Sequence, residues 1–351
     1  MQEKEIKNYL AYFRGIRGAE RNPSNFQRRD DASHKYEDST EEYYEWWYFD
    51  ASFSNGYHMV ITFHYRNMFL KPMVPSLQFF IYAPDGTRID RYELSEPSTV
   101  WANPDYCDVA MGKSWVKDMG DHYELYLNIN DDGARLTFTN NVPPWKPGTG
   151  YNYKSEEKGM VAGWVVPVPN GNVKGELFFK DGSTIPVEGQ GYHDHNWGNY
   201  RCHKTFSAWY WGRVHNEKYT VDYGWVLPSR DDGMVVSPLL IARDNKIVLS
   251  TDMVNVDLED FRTDESLGKS YAGKIILSAD TLGVKFRLEI DTTRVIETMK
   301  LPKVVDWGQY YFRFLADYNM YVSIDGVEDS VSGEMLHEYV LLTDNEEGQN
   351  G

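Results

Sequence analysis

Cysteine is scarce in this chain of 351 residues, which contains only Cys107 and Cys202. Two cysteines exclude a disulfide framework and a cysteine-rich zinc site, although they leave room for one bridge. The sequence has no apolar run of roughly 18 residues, the length of a membrane span. Charged residues interrupt the segment from Met1 to Gly18, so it does not resemble a signal peptide. We therefore expect a soluble, cytoplasmic protein.

Positive charge is also scarce, because 36 Lys and Arg stand against 53 Asp and Glu, a formal net charge of −17. No Lys/Arg-rich run reverses this balance locally. Nucleic acid and anionic membrane surfaces are therefore not expected as partners.

Several catalytic and cofactor-binding signatures are missing as well. The chain has no Gly-x-Ser-x-Gly elbow, no His-Glu-x-x-His motif and no calcium-loop spacing. Its glycines lie between predicted strands, whereas a phosphate-binding loop feeds a helix. We expect no cofactor and no bound metal.

Aromatic residues are abundant: 26 Tyr, 16 Phe and 11 Trp. Tyr and Trp combine an apolar ring with a polar tip, which suits the wall of a ligand cavity. An apolar small molecule is the expected substrate or ligand.

Alternating strands joined by Asn-Gly and Asp-Gly turns predict an antiparallel all-β meander. Two runs of such strands predict two similar halves, at 41–200 and 201–345, after an N-terminal helix or arm at 1–40. In that arm, apolar residues at helical spacing predict a short helix that docks on the body, with weak membrane association as the alternative role. The helical residues and the turns are Ile6, Tyr9, Leu10 and Phe13, and Ser54-Asn55-Gly56, Pro84-Asp85-Gly86, Asp131-Asp132-Gly133 and Lys180-Asp181-Gly182.

The densest chemistry lies in one stretch, Gly189 to Asn199, which reads Gly-Gln-Gly-Tyr-His-Asp-His-Asn-Trp-Gly-Asn. In a strand, the period of two places its histidines and Trp197 on one face and Asp194 on the other. One face could line a cavity while the other holds it in place. The alternative is a polar network that closes one end of a barrel.

A pair of histidines on one strand face could bind a metal, with His203 or an acidic residue completing the set. No supporting ligand spacing accompanies His193 and His195, so this reading is not favoured. General acid or base catalysis by a carboxyl group or an imidazole in an aromatic cavity fits better, because low polarity favours the neutral form of a carboxylic acid. Aromatic rings nearby would stabilise a developing carbocation.

Three segments carry a family resemblance: Glu45-Trp46-Trp47-Tyr48-Phe49, then Tyr192-His193-Asp194-His195-Asn196-Trp197-Gly198, then Trp209-Tyr210-Trp211-Gly212-Arg213. In this order and spacing they resemble the carotenoid 1,2-hydratase (hydroxyneurosporene synthase) family. Its lipocalin-like relatives include AttH-like proteins, kievitone-hydratase-like enzymes and cofactor-free Diels-Alderases. The resemblance covers residues 40 to 345 and implies two lipocalin-like (calycin) antiparallel β-barrel domains.

The resemblance also implies site residues. In the hydratases a His-x-Trp pair acts with a downstream Tyr and an Asp that protonates the double bond. His195 and Trp197 match that pair, whereas the downstream segment reads Tyr219-Thr220-Val221-Asp222-Tyr223, without a Tyr-x-Asp. The predicted catalytic residues are Asp222, its rival Asp194, His193, His195, Trp197 and Tyr219, and the predicted substrate contacts are Glu45, Trp47, Trp209, Trp211, Arg213 and Tyr223.

The leading functional hypothesis is a cofactor-independent hydratase or cyclase that protonates a large apolar unsaturated substrate, isoprenoid-like or polyketide-like. A cofactor-free pericyclase is one alternative. The other is a non-catalytic carrier of apolar ligands, in which the His-Asp-His segment only locks the structure. The exposure of that segment should discriminate between catalysis and binding.

Overall fold

The computed structural model describes residues 18–35, 40–70, 72–228, 235–300 and 307–344. Within these ranges the chain forms antiparallel strands and short 3-10 helices, without an α-helix. The predicted N-terminal helix lies outside the described residues. Among those described, no helix has the length and apolar character that crossing a membrane requires.

The strands lie along the chain in the following order. The first thirteen are β1 (Ala19–Glu20), β2 (Tyr44–Phe53), β3 (His58–Arg66), β4 (Ser76–Tyr82), β5 (Arg88–Leu94), β6 (Val100–Ala102), β7 (Asp108–Met111), β8 (Ser114–Asp118), β9 (Tyr123–Ile129), β10 (Asp132–Asn140), β11 (Tyr151–Ser155), β12 (Met160–Phe178) and β13 (Thr184–Gly198). The others are β14 (Phe206–His215), β15 (Tyr219–Pro228), β16 (Leu239–Arg243), β17 (Lys246–Thr251), β18 (Asn255–Asp264), β19 (Lys269–Thr281), β20 (Val284–Lys300), β21 (Trp307–Ile324) and β22 (Val327–Asp344). The 3-10 helices are Arg28–Asp31, Pro97–Thr99 and Cys202–Lys204.

The chain divides into two compact units. The N-terminal unit comprises Ser24–Lys146 and Met160–Cys202. The C-terminal unit comprises the described residues of Met1–Pro23, Pro147–Gly159 and His203–Gly351. The predicted limits of 1–40, 41–200 and 201–345 stay a prediction.

One curled antiparallel sheet forms each unit. In the N-terminal unit the strand order is β5-β4-β3-β2-β13-β12-β10-β9-β8-β7-β6. Its core is built from alternate residues of these strands, among them Phe49, Ile61, Phe79 and Leu136. In the C-terminal unit the order is β1-β17-β16-β15-β14-β22-β21-β20-β19-β18, around a core of the same kind. The predicted all-β, lipocalin-like fold class is confirmed.

The predicted turns join consecutive strands. The Asn-Gly turn between β2 and β3 and the Asp-Gly turn between β4 and β5 place Gly56 and Gly86 at φ +84° and +86°, a region that L side chains rarely adopt. Strand β12, Met160–Phe178, is 19 residues long. Its first half contains prolines, and its pairing with β13 shifts register between Val165 and Gly171. Proline cannot donate to the ladder, so the strand tolerates it only through such irregularities.

Candidate functional site

Strand β13 carries the His-Asp-His motif in the middle of the N-terminal sheet, between β2 and β12. His193 pairs with Phe49 and His195 pairs with Trp47, and both partners belong to the core of the unit. Residues that are paired across antiparallel strands share a face. The histidines therefore face the interior, and Asp194 lies on the outer face of the sheet, as the alternation predicted.

Asp31, in the 3-10 helix of the N-terminal arm, inserts its carboxylate under the two histidines. Its Oδ2 accepts a hydrogen bond from the Tyr123 hydroxyl at 2.8 Å and lies 3.1 Å from His193 Nε2. The other nitrogen of His193, Nδ1, lies 2.9 Å from the carbonyl oxygen of Tyr48. Both ring nitrogens of His193 therefore face oxygen acceptors.

His195 lies between two carboxylates. Its Nε2 is 3.1 Å from Glu45 Oε1, and its Nδ1 is 3.4 Å from Asp31 Oδ1. Glu45 also accepts hydrogen bonds from the Ser33 hydroxyl at 2.8 Å and the His34 backbone N–H at 2.7 Å. The four ionisable side chains are at most 1% exposed. We call Asp31, Glu45, His193 and His195 the inner cluster.

Burial and charge pairing oppose each other in the inner cluster. Burial by itself lowers the pKa of His195, but the hydrogen bonds and charges of Asp31 and Glu45 raise that pKa to about 9. Burial by itself raises the pKa of Asp31, but the charges and hydrogen bonds of the two histidines hold it below its usual value. His195 is therefore a cation at neutral pH and Asp31 is an anion.

Aromatic rings enclose the inner cluster. The ring of His193 stacks on Phe49 with a centroid distance of 3.9 Å, and His195 stacks on Trp47 at 4.4 Å. The Trp47 indole N–H donates to the backbone oxygen of Asp31. Trp197 stacks on His34 of the arm at 3.7 Å. Of the predicted substrate contacts, Glu45 thus belongs to the inner cluster and Trp47 packs against it. Their role in binding a substrate stays a prediction.

The same region contains atoms that could bind a metal ion. The ligand atoms of Asp31, Cys107 and His193 lie within 4.8 Å of one another, and all three residues are buried. In the structure these groups contact each other: His193 Nε2 is 3.1 Å from Asp31 Oδ2. Burial, with the charge of Asp31, raises the pKa of the Cys107 thiol well above its usual value, so the sulfur is protonated. A metal ion bound here would have to replace the thiol proton of Cys107 and break the contact between His193 and Asp31.

On the outer face of β13, Asp194 is buried and accepts hydrogen bonds from three donors. Its Oδ2 accepts hydrogen bonds from the Tyr192 hydroxyl at 3.0 Å and the Trp164 indole N–H at 3.2 Å. Its Oδ1 accepts one from the side-chain amide of Asn196 at 2.9 Å. Hydrogen bonds of this kind favour the charged form of a carboxyl group. The sheet separates Asp194 from the two histidines, so the structure does not bring the three motif residues together.

In the C-terminal unit, the hairpin of β14 and β15 brings four predicted residues onto one face. Arg213 pairs with Asp222, and Trp211 pairs with Gly224 one step further along. The Arg213 guanidinium lies 5.4 Å from the centre of the Trp211 ring. Trp209, Trp211 and Arg213 are half-buried, whereas Asp222 is completely buried. We call this side of the hairpin the tryptophan face.

Tyr219 and Tyr223 point away from the tryptophan face, into the core of the C-terminal unit. The Tyr219 hydroxyl donates to Asp329 at 3.0 Å, and burial together with this carboxylate raises its pKa to about 12. Tyr219 and Asp222 therefore lie on opposite faces of β15. The catalytic roles assigned to these residues stay predictions.

Sequence reasoning missed two groups. Asp31 lies in a polar segment without periodicity, and it is 162 positions from His193, so no local signal identified it. The second group is Tyr311, Arg313 and Glu338 on β21 and β22. Here the alternation of Tyr311 and Arg313 with Phe312 and Phe314 could have indicated a strand with one more polar face.

Comparison with known proteins agrees with this architecture. A structure of an AttH protein from Nitrosomonas europaea superposes with a TM-score of 0.63 at 14% identity, over 90% of this chain and 95% of that chain, which shows a shared fold. The chain is 25% identical over 171 residues to a hydroxyneurosporene dehydrogenase of Chlorobaculum tepidum, covering 47% of this chain and 41% of that protein. It is also 25% identical over 254 residues to hexane cyclase gkaB of Penicillium citrinum, covering 66% and 56%.

The chain thus matches about half the length of these curated relatives. A family described as Diels-Alderase-like matches residues 18–296. This match covers most of both units and confirms the resemblance that the three sequence segments indicated. The chain belongs to the Diels-Alderase-like family.

Proposed function

We propose that this protein is a cofactor-independent enzyme that cyclises a large apolar unsaturated substrate on the tryptophan face, with Asp222 as the acid. The observation that carries the proposal is the complete burial of Asp222 on a face that also presents two half-buried indole rings. Burial favours the neutral, proton-donating form of a carboxyl group. The sequence similarity to a hexane cyclase, which extends over 66% of this chain, supports the same class of reaction.

The two candidate carboxyl groups have different environments. Asp194 accepts three hydrogen bonds from neighbouring side chains. Asp222 is completely buried on the tryptophan face, opposite Arg213 in register. Asp222 is therefore the better candidate for the proton donor, because burial favours the neutral form of a carboxyl group and hydrogen bonds to a carboxylate favour the charged form.

The proposed reaction balances without another reagent. The proton of Asp222 adds to one carbon of a double bond and leaves a carbocation on the other carbon, which the faces of Trp209 and Trp211 stabilise. A second double bond of the same substrate attacks the cation and closes a ring. Loss of a proton to the Asp222 carboxylate then restores the acid and gives an isomer of the substrate. Capture of the cation by water would give an alcohol instead.

The test is to identify the apolar molecules that co-purify with the protein, and to incubate these molecules or a polyene with it in heavy-oxygen water. An isomer of unchanged mass supports cyclisation, and a labelled alcohol shows hydration. Asp222→Asn should lower turnover by at least about a hundredfold, the usual contribution of a general acid, while leaving ligand binding intact. Asp257→Asn, an exposed aspartate of the same unit, is the matched control.

A specific observation favours the carrier as the second candidate. The histidine face of β13 is sealed by Asp31 and Glu45, as expected for a structural lock. A ligand that binds and is recovered unchanged, with Asp222→Asn indistinguishable from the native protein, would establish the carrier and remove the catalytic proposal.

A further inference from the structure

A row of charged side chains crosses the C-terminal sheet next to Trp211. In the strand register, Trp211 lies opposite Glu338, Glu338 opposite Arg313, and Arg313 opposite Glu297. Directly opposed residues share a face, so all four side chains lie on the same side of the sheet. We call Glu297, Arg313 and Glu338 the charged row.

The members of the charged row bind each other at short range. Arg313 Nη2 donates to Glu338 Oε1 at 2.8 Å, and Arg313 Nη1 lies 3.5 Å from Glu297 Oε2. The Tyr311 hydroxyl donates to the same oxygen of Glu338 at 2.5 Å. The side chains of Glu297, Arg313 and Glu338 are 8%, 11% and 14% exposed. The charged row is therefore mostly buried, but a small part of each side chain still contacts water.

The charged row is continuous with the tryptophan face. Trp209, two residues before Trp211, lies opposite Val340, and Val340 lies opposite Tyr311. Residues two apart on a strand share a face. Trp209, Val340 and Tyr311 therefore form a second row, directly beside the row of Trp211, Glu338 and Arg313. A ligand that covers the two indole rings would lie against Glu338 and Tyr311.

The chemistry of that contact restricts the ligand. A pure hydrocarbon would take the remaining water from Glu338 and Arg313 and return no hydrogen bond, which costs free energy. A carbonyl oxygen could accept a hydrogen bond from the Arg313 guanidinium in place of that water, and a hydroxyl group could in addition donate to Glu338 or to the Tyr311 oxygen. We infer that the substrate is an oxygenated polyene, whose oxygen binds at the charged row while its chain covers the tryptophan face. The inference rests on the proposed function for the location of the substrate.

The experiment compares two probes with the same skeleton: all-trans-retinol and axerophthene, the hydrocarbon with a methyl group in place of the hydroxymethyl group. Quenching of tryptophan fluorescence gives the Kd of each for the full chain. We expect retinol to bind at least about tenfold more tightly, because a site built around a hydrogen bond discriminates strongly against a ligand that lacks it. Equal affinities, or no binding of either probe, would overturn the inference.

Two variants test the location. Tyr311→Phe should reduce the retinol-to-axerophthene ratio severalfold while changing the Kd of axerophthene little. Tyr321→Phe is the matched control, because Tyr321 lies on the same strand and bonds a glutamate, Glu328, away from the row. A ratio that stays unchanged in Tyr311→Phe would place the selectivity elsewhere and overturn the assignment to the charged row.

Binding and turnover separate this inference from the proposed function. Selective binding of retinol without any conversion of a polyene would support the oxygenated ligand and remove the cyclase. Conversion of a hydrocarbon polyene with equal affinities for the two probes would support the cyclase and remove the inference.

Discussion

His195 Nε2 lies 3.1 Å from Glu45 Oε1, and neither side chain is exposed to solvent. The contact joins β13 to β2, and Glu45 in turn holds Ser33 and His34 of the N-terminal arm. With Asp31 on the other side of the imidazolium, the arm is fixed to the sheet by charges that are inaccessible to water. His195 of the His-Asp-His motif therefore helps to hold the arm on the N-terminal unit.

Removing Asp31 should destabilise this unit strongly. Asp31→Asn leaves the buried His195 cation with one carboxylate instead of two, and breaking a buried ion pair costs about 3–5 kcal/mol. Urea unfolding of the native protein and the variant measures the loss. Asp105→Asn, on an exposed aspartate of the same unit, should leave the midpoint unchanged. Equal midpoints for all three proteins would contradict the ionic role of Asp31.

Stability should fall in mildly alkaline solution. The folded-state pKa of His195 is raised to about 9, and an unfolded histidine has a pKa of about 6.5. Its contribution is therefore complete below about pH 6.5 and disappears as the pH rises through about 9, with a total of roughly 3 kcal/mol. Unfolding midpoints between pH 6 and 10 would show the decline. In His195→Gln the same interval should be flat, and a decline that persists would assign the effect to another group.

At the acidic end the sign is opposite. The pKa of Asp31 is held below its usual value, so its contribution is present above the unfolded value and disappears as the pH falls. A loss of stability that begins below about pH 4 in the native protein should be weaker in Asp31→Asn. Equal acid sensitivity of the two proteins would contradict the prediction.

A methyl group at Gly163 should displace Trp197. A Cβ at this position would lie 2.2 Å from the Trp197 ring, which is stacked on His34. Overpacking a buried site costs about 1–3 kcal/mol, and the ring must move, so near-UV circular dichroism should change together with the unfolding midpoint. Gly333→Ala is the control, because its Cβ would meet the end of the Tyr318 side chain at 3.1 Å on an exposed strand. Similar small effects of both variants would show that Trp197 can adjust.

Both thiols should be unreactive in the folded protein. Cys107 and Cys202 are buried, and burial raises the pKa of the Cys202 thiol to about 12. A thiol reagent such as dithionitrobenzoate at pH 8 should label neither until the protein is unfolded, when both react. In Cys202→Ser only Cys107 remains, and adding Asp31→Asn should accelerate its labelling by loosening the arm. Rapid labelling of the native protein would contradict the enclosed position of Cys107.

Local pattern was sufficient for much of this architecture. The period of two in β13 predicted that His193 and Asp194 lie on opposite faces, and the Asn-Gly and Asp-Gly turns predicted the first hairpins. These features depend on neighbouring residues, because side-chain direction and turn geometry are set by a few consecutive dihedral angles. The motifs also indicated the family, since their order is a property of the chain itself.

Only the tertiary structure decided which groups meet. Asp31 reaches His193 from 162 positions away, and the charged row depends on the registers of three strands that follow long after the hairpin. The charge of His195 follows from these contacts, because burial lowers its pKa and the two carboxylates raise it. The sequence by itself determined the alternation of β13, the turns of the hairpins and the family. Long-range packing decided that the histidines are enclosed with Asp31 and Glu45 and that Asp222 is buried on the tryptophan face.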